Sequence, residues 1–323
     1  MKATLRDVAK AAGVGVSTVS YVLNESGLHK VGIETQQRIR DAAAMLNYTP
    51  NAIARGLRSG KSSLAGVLVP AIDYSFMPEI LAGIDHELSE NKYNMLLCTY
   101  TSCEELIEKC ALLRQKQVDG IIIKAWQDIA PDVLELCRNS SLPCIMVATP
   151  TTCGVPGVWV DPASMGRLAF NHLYEQYHRN WAICSITRQC QWLNVMRSML
   201  EEHNLPQNIV VPDEDPQWRE KLFAMENITA ILTDDEYAVE ILHTAHVQHI
   251  KVPEELSILV MDGREIDRYS IPPLTCIIQP RAEQGSEAAK LLLEWINTKI
   301  IPSNVILQPQ LSRRSSIKNR QFL

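Results

Sequence analysis

Two short helical segments separated by a glycine turn open this chain and constrain its fold most strongly. Residues 5–14 (LRDVAKAAGV) lead into residues 17–24 (STVSYVLN), and each segment gathers its apolar side chains on one helical face. Gly13 lies where the first helix must end, because glycine accepts the left-handed backbone that a sharp reversal needs. The pattern predicts a helix-turn-helix, whose second helix commonly enters the major groove of DNA. By itself the pattern also fits an ordinary αα-hairpin.

The residues that follow distinguish these two interpretations. A third amphipathic helix is predicted from Ile33 to Leu46, and Pro50 prevents Thr49 from continuing it. Residues 51–61 (NAIARGLRSGK) come next. In this order and spacing, the three helices and the segment after them resemble the DNA-binding head and hinge of the lactose-repressor/galactose-repressor (LacI/GalR) family of bacterial regulators. The resemblance implies a sequence-specific DNA-binding transcriptional regulator, most simply a repressor.

The distribution of charge supports a nucleic-acid partner for the N-terminal part. Residues 1–61 carry nine Lys or Arg against four Asp or Glu, a formal charge of +5. The whole chain carries −6, so residues 62–323 carry −11. A basic head on an acidic body is typical of a DNA reader whose second domain binds something else.

Beyond residue 62 the sequence alternates between strand-like and helix-like patterns, which predicts parallel sheets with right-handed crossovers. Continuous apolar runs such as Ile121–Ile123 fit strands that are covered on both faces. Strands are predicted at 64–69, 94–98, 120–124, 143–147, 158–161, 181–185, 230–233, 257–262 and 275–278. Helices are predicted at 78–90, 104–117, 131–139, 163–177, 193–203, 236–246 and 282–298.

The family resemblance continues over this body and implies two Rossmann-like lobes of the periplasmic-binding-protein-like type. We therefore expect a small all-α helix-turn-helix head plus an α/β body. The predicted boundaries are a head at 1–49, a hinge at 50–61 and an effector-binding and dimerisation body at 62–323. Lobe 1 would comprise about 62–160 and 279–306, and lobe 2 about 161–278 and 307–323, with chain crossings near 160, 278 and 307.

The resemblance also implies which head residues meet DNA. Val16, Ser17 and Tyr21 would face the base edges from the second helix. Small hydrogen-bonding side chains would grip phosphate and carry no sequence information: Thr4, Thr18, Ser20, Asn24 and Thr35. A solvated helix face is the alternative for Thr18 and Ser20.

In the hinge, the resemblance implies a helix that forms only when two subunits pair over the minor groove, because so short a helix is marginal alone. Leu57 would wedge between the central base steps, Arg55 would lie along the groove, and Ala54 would allow close hinge–hinge packing. Asn51 begins this segment. A plain exposed linker is the alternative interpretation.

A small, sugar-like effector is implied for the cleft between the lobes. Asp234 and Asp262 end predicted strands at positions that match the family's effector contacts, and Lys124 and Asp161 also lie at strand ends. Trp192 stands where many sugar-responsive members carry an Arg, with Arg188 close by. Tyr74 and Met77 fall in the run after the first body strand. For the charged residues at strand ends, a helix cap or a surface charge is the alternative.

The remaining predictions concern partners and location. We expect a homodimer on a pseudo-palindromic double-stranded operator, with no cofactor and no metal. Nine cysteines without a CxxC pair fit reduced thiols, and neither a signal-peptide core nor a membrane span of about 18 apolar residues is present, so a cytoplasmic location is expected. The hydrolase and nucleotide-binding motifs GxSxG, GxxxxGK[ST] and HExxH are absent, which argues against an enzyme. The competing function is a DNA-binding regulator that no longer responds to an effector.

Overall fold

The computed structural model describes residues 3–24, 27–49, 60–71, 77–125, 135, 142–150, 154–188 and 190–321. The chain divides into two compact units, Met1–Leu64 and Ala65–Leu323. Three predictions lie outside the described residues. They are the hinge residues Asn51, Ala54, Arg55 and Leu57, the position of Tyr74, and the helix at 131–139 apart from Glu135.

The described residues of the first unit form three helices, α1 (Leu5–Ala12), α2 (Val16–Leu23) and α3 (Ile33–Met45), with a short 3₁₀ turn at Leu28–Lys30. Thr4 caps α1 in a capping box with Asp7. Gly13 ends α1 with φ of 64° and ψ of 35°, so the predicted left-handed turn is confirmed. The three helices bury one apolar cluster against each other, and its members are Val8, Ala9, Ala12, Val19, Val22, Val31, Ile39, Ala42 and Ala43.

The second unit holds two six-stranded sheets, which define its two lobes. The lobe 1 sheet has the order β11-β5-β4-β3-β1-β2. Its strands are β1 (Leu64–Pro70), β2 (Asn94–Tyr100), β3 (Gly120–Ile123), β4 (Cys144–Val147), β5 (Gly157–Val160) and β11 (Val305–Leu307). The pairs β1–β3, β3–β4, β4–β5 and β5–β11 are all parallel.

The lobe 2 sheet has the order β12-β10-β9-β8-β6-β7. Its strands are β6 (Trp181–Cys184), β7 (Asn208–Val210), β8 (Ala230–Asp234), β9 (Ser257–Met261), β10 (Thr275–Ile278) and β12 (Gln310–Ser312). Only the edge pair β10–β12 is antiparallel among its paired strands. The chain therefore passes between the sheets after β5, after β10 and after β11, next to the expected crossings at 160, 278 and 307.

Helices cover the sheets and bury their apolar faces against them. In the described part of the body they are α4 (Met77–Glu90), α5 (Cys103–Gln115), α6 (Pro162–Glu175), α7 (Gln191–Glu202), α8 (Trp218–Phe223), α9 (Asp235–Val247) and α10 (Arg281–Thr298). The lobe 1 core lies between its sheet and the pair α4–α10, and one lobe 2 core lies under α6 and α7. Among the described helices, none is long and apolar enough to cross a bilayer.

The nine predicted body strands are all present, with ends that differ by at most two residues. Sequence patterns missed three short elements, β7, β11 and α8, because three to six residues are too few to show a period. Residues 307–316 resemble the terminal strand of the family, and β12 (Gln310–Ser312) lies within this run.

Candidate functional site

The second head helix presents three side chains outward. Val16 is 41 % exposed and Tyr21 is 39 % exposed, and Ser17 is also exposed. Ser17 and Tyr21 are four residues apart, so they lie on one face of α2, while Val19 and Val22 point into the head core. This face is the surface that the sequence predicts for base contacts.

The ring of Tyr21 is held in place from two sides. A Cβ added at Gly27 would lie 3.0 Å from the Tyr21 ring, so the missing side chain lets the backbone pack against the ring. The Lys30 ammonium lies 5.4 Å from the ring centroid, within range of a cation–π contact. Tyr21 is therefore presented with a restricted orientation.

The predicted phosphate contacts divide into two groups. Thr4 is exposed at the start of α1, and Thr18 and Thr35 are half-buried. Ser20 is buried, and Asn24 donates from Nδ2 to its carbonyl oxygen at 2.9 Å and to its hydroxyl at 3.1 Å. Ser20 and Asn24 thus bond to each other and close the end of α2.

A cavity of about 230 Å³ lies in the body at the carboxyl ends of strands from both sheets. Lobe 1 contributes residues after β4 and in β5, and lobe 2 contributes residues after β6, β8, β9 and β10. Because ligands in α/β sheets bind beyond the carboxyl ends of strands, this is where the predicted effector cleft should lie. Its polar and aromatic lining includes Thr149, Trp159, Thr187, Gln191, Trp192, Asp234, Asp262 and Gln279.

Asp234 lies at the end of β8, and described residues donate hydrogen bonds to only one of its two carboxylate oxygens. Its Oδ2 accepts hydrogen bonds from the Ser185 hydroxyl at 2.9 Å and from the Ile186 N–H at 2.7 Å. Burial raises the pKa of Asp234 to about 6, against the lowering effect of these two donors, and the charge of Asp262 adds to the rise. Within the described residues no donor contacts Oδ1, which leaves an acceptor at the cavity wall.

Asp262 follows β9 and has a left-handed backbone, with φ of 61°. Its Oδ1 and its carbonyl oxygen both accept from Nη2 of Arg281 at 2.8 Å. Lys124, at the end of β3, donates from Nζ to Thr149 at 3.0 Å and to the Ala125 carbonyl at 2.8 Å. Burial lowers the pKa of Lys124 to about 8, while the negative charge of Asp262 raises it. A positive charge of lobe 1 therefore faces a negative charge of lobe 2 here.

Lys124 is not among the residues that line the cavity, and three further predicted effector residues also lie away from it. Met77 is buried in the lobe 1 core. Asp161 caps α6, where its carboxylate accepts from the N–H groups of Ala163 and Ser164 and from Arg167. Arg188 is half-exposed and pairs with Glu214 at 2.7 Å. Core packing, capping and a surface ion pair account for these three side chains.

Several lining residues were not foreseen from the sequence. Trp159 follows the core residue Val158 in β5, and successive strand residues point to opposite faces of the sheet. This alternation was a sequence signal that Trp159 points away from that core. Thr149 is 2 % exposed and Gln279 follows β10, in line with the rule for strand ends. Arg281 does not line the cavity but contacts the lining residue Asp262, and this 3 % exposed arginine gave no sequence signal because it is the first residue of an amphipathic helix.

The fold and these two surfaces define a class: a helix-turn-helix head joined to a two-lobed body of the periplasmic-binding type. Three family models match the chain. They are the lacI family of bacterial regulatory proteins over residues 4–51, the periplasmic binding proteins and sugar binding domain of the LacI family over 62–200, and the periplasmic binding protein-like domain over 170–317. The family motifs read from the head therefore extend through the body.

Similar proteins cover the whole chain. The ribose operon repressor of Haemophilus influenzae is 30 % identical over 98 % of this chain and 98 % of its own length. Catabolite control protein A of Priestia megaterium is 29 % identical over 96 % of this chain and 97 % of its own length. A lac repressor dimer bound to operator and the anti-inducer ONPF shares the fold, with a TM-score of 0.86, 21 % identity, and coverage of 98 % of this chain and all of that one.

The chain belongs to the LacI family of bacterial transcriptional regulators. It is a DNA-binding regulator and not an enzyme, as the sequence predicted.

Proposed function

We propose that this chain is a repressor whose operator affinity is controlled by a small, uncharged, hydroxyl-rich ligand in the cavity between the lobes. The observation that carries the proposal is the cavity itself, because strand ends of both sheets converge there with two carboxylates and two tryptophans. A ligand that contacts both lobes can favour one lobe arrangement over another, which is the requirement for allosteric control.

The head supplies the DNA-binding half of the proposal. The exposed face of Val16, Ser17 and Tyr21 offers a methyl-bearing side chain, a hydroxyl and an aromatic ring to the major groove. One head has one such helix, so two subunits related by a twofold axis would read a pseudo-palindromic operator. The hinge residues Asn51, Ala54, Arg55 and Leu57 would then meet the minor groove. A regulator of chromosomal DNA acts in the cytoplasm.

The cavity wall favours donors over anions. Asp234 and Asp262 each keep one carboxylate oxygen that no described residue occupies, so a ligand with hydroxyl groups can donate to both. A phosphate or carboxylate on the ligand would face these two negative charges. Trp159 and Trp192 add flat apolar surface of the kind that covers a sugar ring.

The size of the cavity bears on the size of its ligand. The cavity offers about 230 Å³ between the two lobes. A monosaccharide or a similarly compact polyol fits this volume, and the sugar-related names of relatives, such as the ribose operon repressor, agree with it.

The test has two steps. Selection from randomised oligonucleotides with the full-length protein should yield an inverted repeat, and thermal shift against a panel of neutral sugars, polyols and nucleosides should yield a stabilising ligand. That ligand should change operator affinity in the wild type, and Asp262→Ala should abolish the response to the ligand. If no panel member stabilises the protein while the inverted repeat is bound, the ligand-independent regulator is the better description.

A further inference from the structure

A buried arginine joins the two lobes at the edge of the cavity. Arg281 is the first residue of α10 and is 3 % exposed. Its Nη2 donates to the carbonyl oxygen and to Oδ1 of Asp262, each at 2.8 Å, and its Nη1 donates to Oε1 of Glu79 at 3.4 Å. Asp262 follows β9 in lobe 2, whereas Arg281 and Glu79 begin the lobe 1 helices α10 and α4. The ion pair therefore crosses between the lobes.

On the lobe 1 side of this ion pair, two closely packed helices fix the position of Arg281. Helices α4 and α10 approach so closely that a Cβ added at Gly83 would lie 2.0 Å from the Ala282 carbonyl oxygen. A Cβ at Gly285 would lie equally close to the Ile80 carbonyl oxygen. Contact of backbone against backbone leaves no side chain to adjust, so the position of Arg281 is set by the helix pair.

The lobe 2 end is also constrained. Asp262 has a positive φ, a conformation that costs a non-glycine residue free energy and persists only when its surroundings enforce it. Gly263 packs against β10, where an added Cβ would meet Cys276 at 2.3 Å, and its N–H donates to the Ile277 carbonyl at 3.0 Å. Arg281 binds both the backbone and the side chain of Asp262 through one nitrogen, which fixes the direction of the carboxylate.

We propose that Arg281 is a positioning residue that holds the cavity carboxylate of Asp262 in place and makes it the joint between lobe 1 and lobe 2. The ligand consequence rests on the proposed function: a ligand that donates to Asp262 meets a carboxylate whose direction lobe 1 sets. A buried ion pair is a weak source of stability compared with a well-packed apolar pair, so its value here lies in geometry.

Cys190 offers a readout that needs no ligand. Its thiol lines the cavity and is 5 % exposed, whereas Cys110 is buried in lobe 1 and Cys184 in lobe 2, away from the cavity lining. Alkylation by iodoacetamide, followed by peptide mass mapping, measures each thiol separately. Opening of the lobes should accelerate Cys190 alone, and general destabilisation should accelerate all three.

The experiment compares the full chain with Arg281→Met, Arg281→Lys, Asp262→Asn and the double variant R281M/D262N. We expect Arg281→Met to accelerate alkylation of Cys190 at least about threefold while Cys110 and Cys184 keep the wild-type rate, because only the joint is lost. Arg281→Lys keeps the charge but loses the planar fork, so it should fold and still accelerate Cys190. The double variant should be no faster than the faster single variant, since both remove one interaction.

Three results would overturn the proposal. The first is a wild-type alkylation rate at Cys190 in folded Arg281→Lys and Arg281→Met. The second is equal acceleration at all three cysteines, and the third is additive effects in the double variant; either would make Arg281 a general contributor to stability. None of these results depends on an effector, so failure here is distinct from failure to find a ligand.

Discussion

At the residue scale, the second head helix separates outward side chains, which we propose read DNA, from side chains that build the head. Ser17 and Tyr21 are exposed on α2, and the Tyr21 ring is held against Gly27. Ser20 and Asn24, on the same helix, bond to each other. Chemically similar positions on one short helix therefore have different roles, and substitution can separate them.

Substitution of the outward residues should change the preferred operator sequence. Ser17→Ala and Tyr21→Ala remove base-edge contacts, each expected to cost on the order of 1 kcal/mol at the base concerned. Arg6→Ala and Lys10→Ala, also in the head, should weaken binding to all sequences about equally. Selection from randomised oligonucleotides measures the preference, and an unchanged motif for both α2 variants would refute the assigned recognition face.

A buried histidine should make the body sensitive to acid. His178 is fully buried with Nδ1 at 2.8 Å from the Thr229 hydroxyl, and burial together with the charge of Arg320 lowers its pKa to about 4. Its ordinary value near 6.5 applies in the unfolded chain, so the unfolded state binds the proton more tightly. The contribution of His178 to the free energy of unfolding is fully present above pH 6.5. This contribution falls by on the order of 3 kcal/mol as the pH drops towards 4.

Urea unfolding between pH 7.5 and 4.5 measures this effect. His178→Gln should unfold with a weaker pH dependence than the wild type over the same range. His243→Gln, at an exposed position on α9, is the control and should keep the wild-type profile. Identical profiles for all three proteins would show that His178 does not govern acid sensitivity.

At the scale of elements, the pairing of α4 with α10 is the contact that most depends on small residues. Gly83 and Gly285 each face a backbone oxygen of the other helix. A Cβ added at either glycine would lie 2.0 Å from that oxygen. Helix propensity alone favours alanine over glycine in a helix interior by about 1 kcal/mol. Steric contact and propensity therefore predict opposite signs for the same substitution.

We expect the steric effect to prevail. Gly83→Ala or Gly285→Ala should lower the free energy of unfolding by about 2 kcal/mol or more, because the clash is with backbone and the helices must separate. Lys290→Ala, on the exposed face of α10, should change it by less than about 0.5 kcal/mol. Chemical denaturation of the three variants decides the sign, and a stabilised glycine variant would contradict the close packing.

At the scale of the whole molecule, the positive and negative net charges lie in different parts of the chain. The head region carries +5 and the rest −11, so DNA attraction is concentrated in residues 1–61. The cavity in the body is bordered by the carboxylates Asp234 and Asp262. Positive charge is thus concentrated in the head, whereas the proposed ligand site is bordered by carboxylates.

Operator binding should weaken steeply with salt. Each neutralised phosphate contributes a slope of about −0.9 in a plot of log K against log salt concentration. Arg6→Ala should reduce the magnitude of the slope by about one if it contacts a phosphate, whereas Arg188→Ala in the body should leave it unchanged. Titrations at several salt concentrations test both, and a shallow slope for the wild type would count against the basic head as the DNA-binding surface.

The ligand site should discriminate by charge. A phosphorylated sugar should bind at least about tenfold more weakly than its neutral parent, a difference of about 1.4 kcal/mol, because two carboxylates border the cavity. Asp262→Asn should reduce this discrimination. Calorimetry with the matched pair provides the measurement, and tighter binding of the phosphate ester would place the ligand elsewhere.

Local rules determined much of this protein from its sequence. Some features depend only on residues near each other in the chain, so a short stretch of sequence predicts them. They are the glycine turn at Gly13, the apolar faces of α1 to α3 and the continuous apolar strands. The convergence of Asp234 and Asp262 on one edge also followed, because parallel strands place their carboxyl ends together, whereas Trp192 was expected there only from the family resemblance.

Tertiary structure alone decided the rest. Asp161 and Lys124 both end strands in the sequence, yet Asp161 caps α6 and Lys124 is half-buried and donates to Thr149. Arg281 lies 19 residues beyond Asp262 and meets it only because the chain crosses back to lobe 1 after β10. Such contacts depend on how lobes and helix pairs approach each other, and no window of local sequence specifies that distance.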